Sequence, residues 1–136
     1  MLVSRVEDLV DRTGDPDTLF WKLDYLIQSL PTWMLPDRPD QWVKGTGKHR
    51  AHMVIRKPNS AATIVGQAST AHIGRGGRRN MVVFDEYAAL DNAEAAWRSA
   101  ADCTSARLAV STPVGPGTHY ATLVAQGRAT LSLIHI

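Results

Sequence analysis

The amino-acid sequence predicts an α/β fold, and the alternating elements of its second half are the main reason. An unbroken apolar run over 81–85 has the length and character of a buried strand. An Ala-rich helix over 92–102, a strand over 106–110 and a last helix over 118–127 follow it. Strands that alternate with helices in this way form parallel sheets with helical crossovers.

Two helices are predicted near the start of the chain. Ser4 and Glu7 have the spacing of a capping box, which predicts a helix over 5–12 with Ser4 as its N-cap. Pro16 opens a second helix, whose apolar residues recur at helical spacing until Pro31 ends it.

The remaining strands are predicted from short apolar segments. Residues 1–3 are typical of the end of a strand, and 53–56 and 62–65 flank a Pro-Asn-Ser turn. This turn chemistry predicts a β-hairpin. The proline-rich residues 31–50 are expected to be irregular.

Size and charge are those of an ordinary globular chain. Its 136 residues amount to one domain or part of one, with a formal net charge of +2. The single cysteine, Cys103, fits a reducing compartment and is interpreted as a packing residue. No apolar run approaches the roughly 20 residues of a membrane-spanning helix, and no signal-peptide pattern follows Met1.

Two groups of basic side chains are candidates for phosphate contacts, with a solvated surface as the alternative for the first group. They are Lys44, Lys48, Arg50, Arg56 and Lys57, and then Arg75, Arg78 and Arg79.

The apolar run over 81–85 ends at two adjacent carboxylates, Asp85 and Glu86. Open α/β sheets bind their ligands at the carboxyl ends of parallel strands. Nucleotide hydrolases place such a pair there, where the first acid holds Mg²⁺ and the second polarises the attacking water. The alternative is an ordinary helix start after a core strand, where acids are also favoured.

Ser111 and Thr112 end the next strand. Because both strand ends belong to one edge of a parallel sheet, we expect these residues within about 8 Å of Asp85 or Glu86. A hydroxyl there would hydrogen-bond this acidic pair or a γ-phosphate. The alternative is a plain end of the strand, since Pro113 cannot continue it.

Two glycine-rich segments have different interpretations. The segment Gly74–Arg79 combines backbone freedom with arginines that match phosphate oxygens, with a flexible basic loop as the alternative. The segment Gly45–His49 only superficially resembles a phosphate loop. Its lysine is followed by a histidine, and Trp42 replaces the Walker A pattern's first glycine.

The scattered histidines argue against zinc and triad chemistry.

In their order and spacing, these motifs resemble the ATPase domain of bacteriophage terminase large subunits, the motors that package DNA. The resemblance covers about residues 2–128. The matching segments are Leu2–Glu7, the LP.W..P-like linker Leu30–Pro36, the hairpin Pro58–Gly66, the loop Gly74–Arg78, the Walker B strand Val82–Ala88, the segment Ala96–Thr104 and the coupling motif Arg107–Gly115.

This resemblance implies an incomplete P-loop NTPase core of the ASCE or RecA-like type, with a parallel sheet and an inserted β-hairpin. Residues 1–130 would be part of the ATPase domain, and 131–136 an unassigned tail, either an edge strand or a junction sequence. The family's phosphate loop and nuclease domain are missing from these residues. We therefore expect an internal fragment that alone hydrolyses ATP little or not at all.

The resemblance also implies residue roles. Asp85 would be the Walker B acid that binds Mg²⁺ and Glu86 the catalytic glutamate, while Ser111 and Thr112 would contact the nucleotide and couple its hydrolysis to movement. Arg75 has the position of an arginine finger that acts on the neighbouring subunit's ATP. Arg78 is the competing candidate for that contact.

The implied cofactors are ATP and Mg²⁺. The implied partners are double-stranded DNA, other copies in a homo-oligomeric ring, the portal protein and the small terminase subunit, in the host cytoplasm and without a membrane. Two alternatives stay open. One is a helicase-like ATPase fragment, since the segments around Asp85 and Ser111 loosely match helicase motifs. The other is a non-catalytic DNA- or protein-binding α/β module.

Overall fold

The computed structural model describes residues 1–70, 72–74 and 77–129. Within them, six strands form one mixed sheet in the order β2-β3-β4-β1-β5-β6. The strands are β1 (Leu2–Ser4), β2 (Arg50–Ala51), β3 (Val54–Arg56), β4 (Thr63–Ala68), β5 (Val82–Phe84) and β6 (Arg107–Ala109).

The sheet has a parallel part and an antiparallel part. Strands β4, β1, β5 and β6 pair in parallel, whereas β2, β3 and β4 pair antiparallel. The prediction of an α/β fold is thereby confirmed, as is the hairpin of β3 and β4. Asn59 takes a left-handed backbone with φ of 55° in the hairpin loop, which asparagine tolerates better than most residues. Strand β2 was not predicted, and it begins at Arg50, the last residue of the segment expected to be irregular.

The structure describes four α-helices in these residues, and their boundaries differ from prediction, for α3 and α4 by only one or two residues at each end. They are α1 (Glu7–Val10), α2 (Leu19–Ser29), α3 (Ala93–Ala101) and α4 (His119–Ala125).

The predicted capping box is wrong. Helix α1 is a single turn whose N-cap is Val6, and no side chain caps it. Ser4 stays in β1, because its carbonyl accepts a hydrogen bond from the Ser69 amide at 2.8 Å. Helix α2 begins three residues later than Pro16 indicated, since the Thr18 hydroxyl accepts from the Trp21 amide and serves as its cap.

The core lies on both faces of the sheet. Neighbouring residues of β1 point to opposite faces, as expected for a strand. Val3 joins a cluster with β5, α3 and α4, and Leu2 packs against a second cluster with α1, α2 and Trp42. Cys103 is buried in the first cluster, which confirms the prediction that it is a packing residue.

Candidate functional site

The carboxyl ends of the four parallel strands form one row, which we call the carboxyl edge. Short backbone hydrogen bonds join the strand ends in sequence. The Ser69 amide donates to the Ser4 carbonyl, the Asp85 amide to Val3 and the Val110 amide to Phe84, each at 2.8 Å. Side chains with oxygen atoms follow or end each strand at this edge. They are Ser69 after β4, Ser4 at the end of β1, Asp85 and Glu86 after β5, and Ser111 after β6.

Asp85 is half-buried at the centre of the carboxyl edge. The Ser4 hydroxyl donates to its Oδ2 atom across 3.5 Å, and Ser4 itself is 0% exposed. No ion pair involves Asp85 within the described ranges. The carboxylate therefore retains oxygen lone pairs for a ligand.

Glu86 has a strained backbone. Its φ of 50° and ψ of 42° lie in the left-handed region, although it is not glycine. A residue with a Cβ atom pays about 1–2 kcal/mol for this conformation. Such strain persists only where neighbouring structure enforces it, and it is frequent at functional sites. The Glu86 side chain is exposed to solvent.

Tyr87 is the main anchor of this strained turn. Its ring is fully buried against Phe84 and Trp97, and its hydroxyl donates to the Ala93 carbonyl at 2.9 Å. His119 Nδ1 lies 2.6 Å from the same hydroxyl. Burial raises the pKa of Tyr87 and lowers the pKa of His119, so both groups are neutral near pH 7. Sequence reasoning missed this pair, because only the fold brings α4 to the turn after β5.

Ser111 fastens the segment after β6 to the same turn. Its hydroxyl accepts a hydrogen bond from the Ala88 amide at 2.9 Å and donates to the Thr112 carbonyl at 3.1 Å. The Tyr87 amide donates to the Val110 carbonyl at 3.1 Å. Ser111 thus clamps the backbone beside Glu86, and Thr112 is exposed. The parallel pairing of β5 and β6 places both predicted segments at the carboxyl edge.

Arg78 lies at the opposite, amino edge of the sheet. The flanking Arg79 amide donates to the Cys103 carbonyl at 2.9 Å, and the Thr104 hydroxyl donates to the Asn80 carbonyl at 3.1 Å. Both acceptors precede a strand start, so Arg78 does not join Asp85 in a site of its own chain. Arg75 lies outside the described residues.

The first basic group is mostly paired with acids. Arg50 is 2% exposed, donates to both carboxylate oxygens of Asp11 at 2.9 and 3.0 Å and also bonds Asp24. Lys44 bonds Asp11 at 2.7 Å, and Lys48 lies 2.9 Å from Asp37. These contacts fasten the irregular segment to the sheet and helices. Arg56 and Lys57 are exposed, and no ion pair involves them among the described residues, so only these two cations of the group remain for phosphate.

Gly47, in the segment that superficially resembles a phosphate loop, has a packing role. A Cβ atom there would stand 2.2 Å from the backbone oxygen of Gln41. Only glycine allows this close approach. The structure thus explains the glycine without a ligand.

A shallow polar cleft of about 500 Å³ lies beside the carboxyl edge, between the starts of α3 and α4. Ala88, Glu94, Arg98 and His119 are among its lining residues, whereas Asp85, Glu86 and Ser111 are not. The Glu94 carboxylate is engaged by Arg98 at 2.6 Å. We therefore place the candidate site at the open carboxyl edge rather than in this cleft.

The oxygen atoms at the carboxyl edge fit a Mg²⁺ site in which the protein supplies few of the ligands. Among the residues that the structure describes, no three His, Cys, Asp or Glu side chains converge as a metal-binding group. Mg²⁺ is commonly held by one or two carboxylates together with water and substrate phosphates. Asp85 supplies one such carboxylate at this edge.

Comparisons with protein-family models, curated proteins and solved structures found no match. None of the described helices has the length and apolar character needed to cross a membrane.

Proposed function

We propose that this chain is part of the ATP-hydrolysing motor of a phage terminase large subunit, which packages double-stranded DNA into procapsids. Residues 1–130 then belong to its P-loop NTPase core. The observation that carries the proposal is the carboxyl edge, where Asp85 and Glu86 follow the central parallel strand β5. Ligands of open α/β sheets bind outside this edge.

Each acid has a defined task in this proposal. Asp85 contributes a ligand to Mg²⁺, which neutralises charge on the phosphate oxygens of ATP. Glu86 accepts a hydrogen bond from the attacking water and orients it. Glu86 is exposed to solvent, and its backbone is held in the left-handed conformation.

Ser111 provides the mechanical connection. Because its hydroxyl bonds the Ala88 amide, a displacement of the turn at Glu86 moves the segment after β6. Thr112 is the exposed neighbour that we assign to nucleotide contact. This division assigns coupling to Ser111 and leaves the hydrolytic chemistry to the two acids.

Among the described residues, no element covers one face of the β5–β6 part of the sheet, which supports the incomplete character of the core. Met81, Leu108 and Val110 are 48%, 49% and 50% exposed on the β5–β6 part of the sheet. Parallel sheets are normally covered on both faces. In the proposal, the element that carries the phosphate loop covers this face in the complete protein and closes the nucleotide site.

The partners follow from the resemblance alone. They are double-stranded DNA, further copies of the subunit in a ring, the portal protein and the small terminase subunit, in the host cytoplasm. Arg75 or Arg78 then acts on the ATP of a neighbouring subunit. The amino-edge position of Arg78 is compatible with that role only between subunits.

The metal site is testable on this chain by NMR. Mn²⁺ replaces Mg²⁺ and broadens the amide signals of residues near it. We expect selective broadening at residues 84–86 and its loss in Asp85→Asn. The matched control Asp91→Asn, at an exposed acid beyond the turn, should retain the broadening. Equal broadening in the parent chain and in Asp85→Asn would refute the proposed site.

A further inference from the structure

We infer that Ser4 is a positioning residue for Asp85, and that its hydroxyl strengthens metal binding at the carboxyl edge. The inference rests on the proposed function, because it concerns the same metal site. It assigns a role to a residue that the sequence pattern had predicted to be a helix cap.

The position of Ser4 leaves its hydroxyl without a capping task. Helix α1 begins only at Glu7 and has no side-chain cap. The Ser4 side chain points across the strand pair toward β5, where its Oγ donates to Asp85 Oδ2 at 3.5 Å. The backbone holds the two residues together at this point, since the Asp85 amide donates to the Val3 carbonyl at 2.8 Å.

Burial makes this contact specific. Ser4 is 0% exposed, so its hydroxyl does not exchange freely with bulk water. A buried hydroxyl requires a partner, and Asp85 Oδ2 is the acceptor that the described residues offer it. The other carboxylate oxygen of Asp85 is left for the metal.

The expected effect follows from the way metal ligands are oriented. A ligating carboxylate is held in place by hydrogen bonds from residues that do not touch the metal, and their loss commonly weakens metal binding 10- to 100-fold. The distance of 3.5 Å is long for a hydroxyl bond to a carboxylate. Contacts of this kind often tighten when the ligand binds.

The test is an Mn²⁺ titration of the chain, with the broadening of the Glu86 amide signal as the readout. We expect Ser4→Ala to raise the Mn²⁺ concentration for half-maximal broadening about tenfold. The matched control is Ser105→Ala, the same change at an exposed serine just before β6, at the amino edge of the sheet. The loss of the Ser105 hydroxyl should shift the midpoint less than twofold.

A second pair separates positioning from packing. Ser4→Thr keeps the hydroxyl, whereas Ser4→Val has the same shape as threonine with a methyl group in place of that hydroxyl. Both variants add similar bulk, so a folding defect caused by that bulk should be the same in both. We expect the Mn²⁺ concentration for half-maximal broadening to be higher in Ser4→Val than in Ser4→Thr. Equal midpoints in this pair, or an equal loss in Ser105→Ala, would overturn the role of Ser4 while leaving the metal site intact. A parent chain without selective broadening would instead remove the proposed function, and this inference with it.

Discussion

Glu86 combines an exposed carboxylate with a backbone that its own side chain disfavours. The left-handed conformation is enforced from both sides by the buried strand β5 and by the buried ring of Tyr87. Glycine at this position would make the folded protein more stable, because it adopts the left-handed conformation without a steric cost. Backbone strain of this kind is frequent at functional sites, which is consistent with the role proposed for Glu86.

Replacement of Glu86 by glycine should therefore stabilise the protein. Glycine removes the steric cost of the left-handed backbone, and we expect Glu86→Gly to raise the free energy of unfolding by about 0.5–1 kcal/mol. Urea denaturation measures this change. The matched control is Asp102→Gly, at an exposed residue with an ordinary φ of −70°, which should lower the free energy instead. A decrease in Glu86→Gly would contradict the strained backbone.

At the residue scale, the sequence located the acidic pair but not its surroundings. The apolar run that ends at Asp85 is a pattern of consecutive residues, so it can be recognised in the sequence itself. The hydroxyl of Ser4 meets Asp85 across 81 positions of the chain, so no local pattern reports it. Local spacing instead favoured a capping box, which lost to the pairing of β1 within the sheet.

Among the elements, helices α1 and α2 approach β4 closely at a glycine. A Cβ atom on Gly66 would stand 2.6 Å from Val10 Cγ1 and 2.8 Å from Phe20 Cε2. We expect Gly66→Ala to lower the free energy of unfolding by about 1–3 kcal/mol, because the helices must move away from the sheet. The control Gly117→Ala has open space around the new methyl group and should be nearly neutral in thermal or urea unfolding. Equal effects of the two would disprove the close packing.

The Tyr87 hydroxyl joins the turn after β5 to the starts of α3 and α4. Tyr87→Phe keeps the ring but leaves the Ala93 carbonyl and His119 Nδ1 without this partner. We expect a loss of about 1–3 kcal/mol in the free energy of unfolding. The same change at Tyr25, which is 60% exposed, should cost less than about 0.5 kcal/mol. A neutral Tyr87→Phe would show that the hydroxyl contributes nothing.

Element existence was more predictable than element boundaries. The run over 81–85, the Ala-rich helix and the hairpin all correspond to elements of the structure, because each has a strong periodicity or turn signal. Strand β2 has only two residues, Arg50 and Ala51, and is defined by pairing with β3 rather than by its composition. The start of α2 shifted because the Thr18 cap outweighed the Pro16 signal.

For the whole molecule, the ion network around Arg50 should make stability depend on acid. Burial alone would raise the pKa of the Asp11 carboxyl, but hydrogen bonds from Arg50, Lys44 and the Met53 amide together hold it well below its usual range. A carboxyl whose pKa is lower in the folded state contributes stability above its unfolded pKa, near 3.9, and loses it as the pH falls further.

We accordingly expect the free energy of unfolding to be nearly constant from pH 7 to 5 and to fall below about pH 4. The carboxyl carbon of Asp11, followed by NMR, should keep the chemical shift of an ionised group down to about pH 3 while the chain is folded. Protonation of Asp11 near pH 4 in the folded state would contradict the network.

If Asp85 and Glu86 form the hydrolytic centre of an ATPase, as proposed, the complete protein that contains them should hydrolyse ATP, and its hydrolysis rate is the measurement to make first. The complete reading frame that contains these residues should be expressed, intact and as Glu86→Gln, with Glu94→Gln as the matched control at an exposed acid of α3. We expect Mg²⁺-dependent hydrolysis that Glu86→Gln slows at least about 100-fold, which corresponds to roughly 2.7 kcal/mol in barrier height, and that Glu94→Gln leaves unchanged. Hydrolysis that survives Glu86→Gln, or a complete protein that does not hydrolyse ATP, would contradict the proposal.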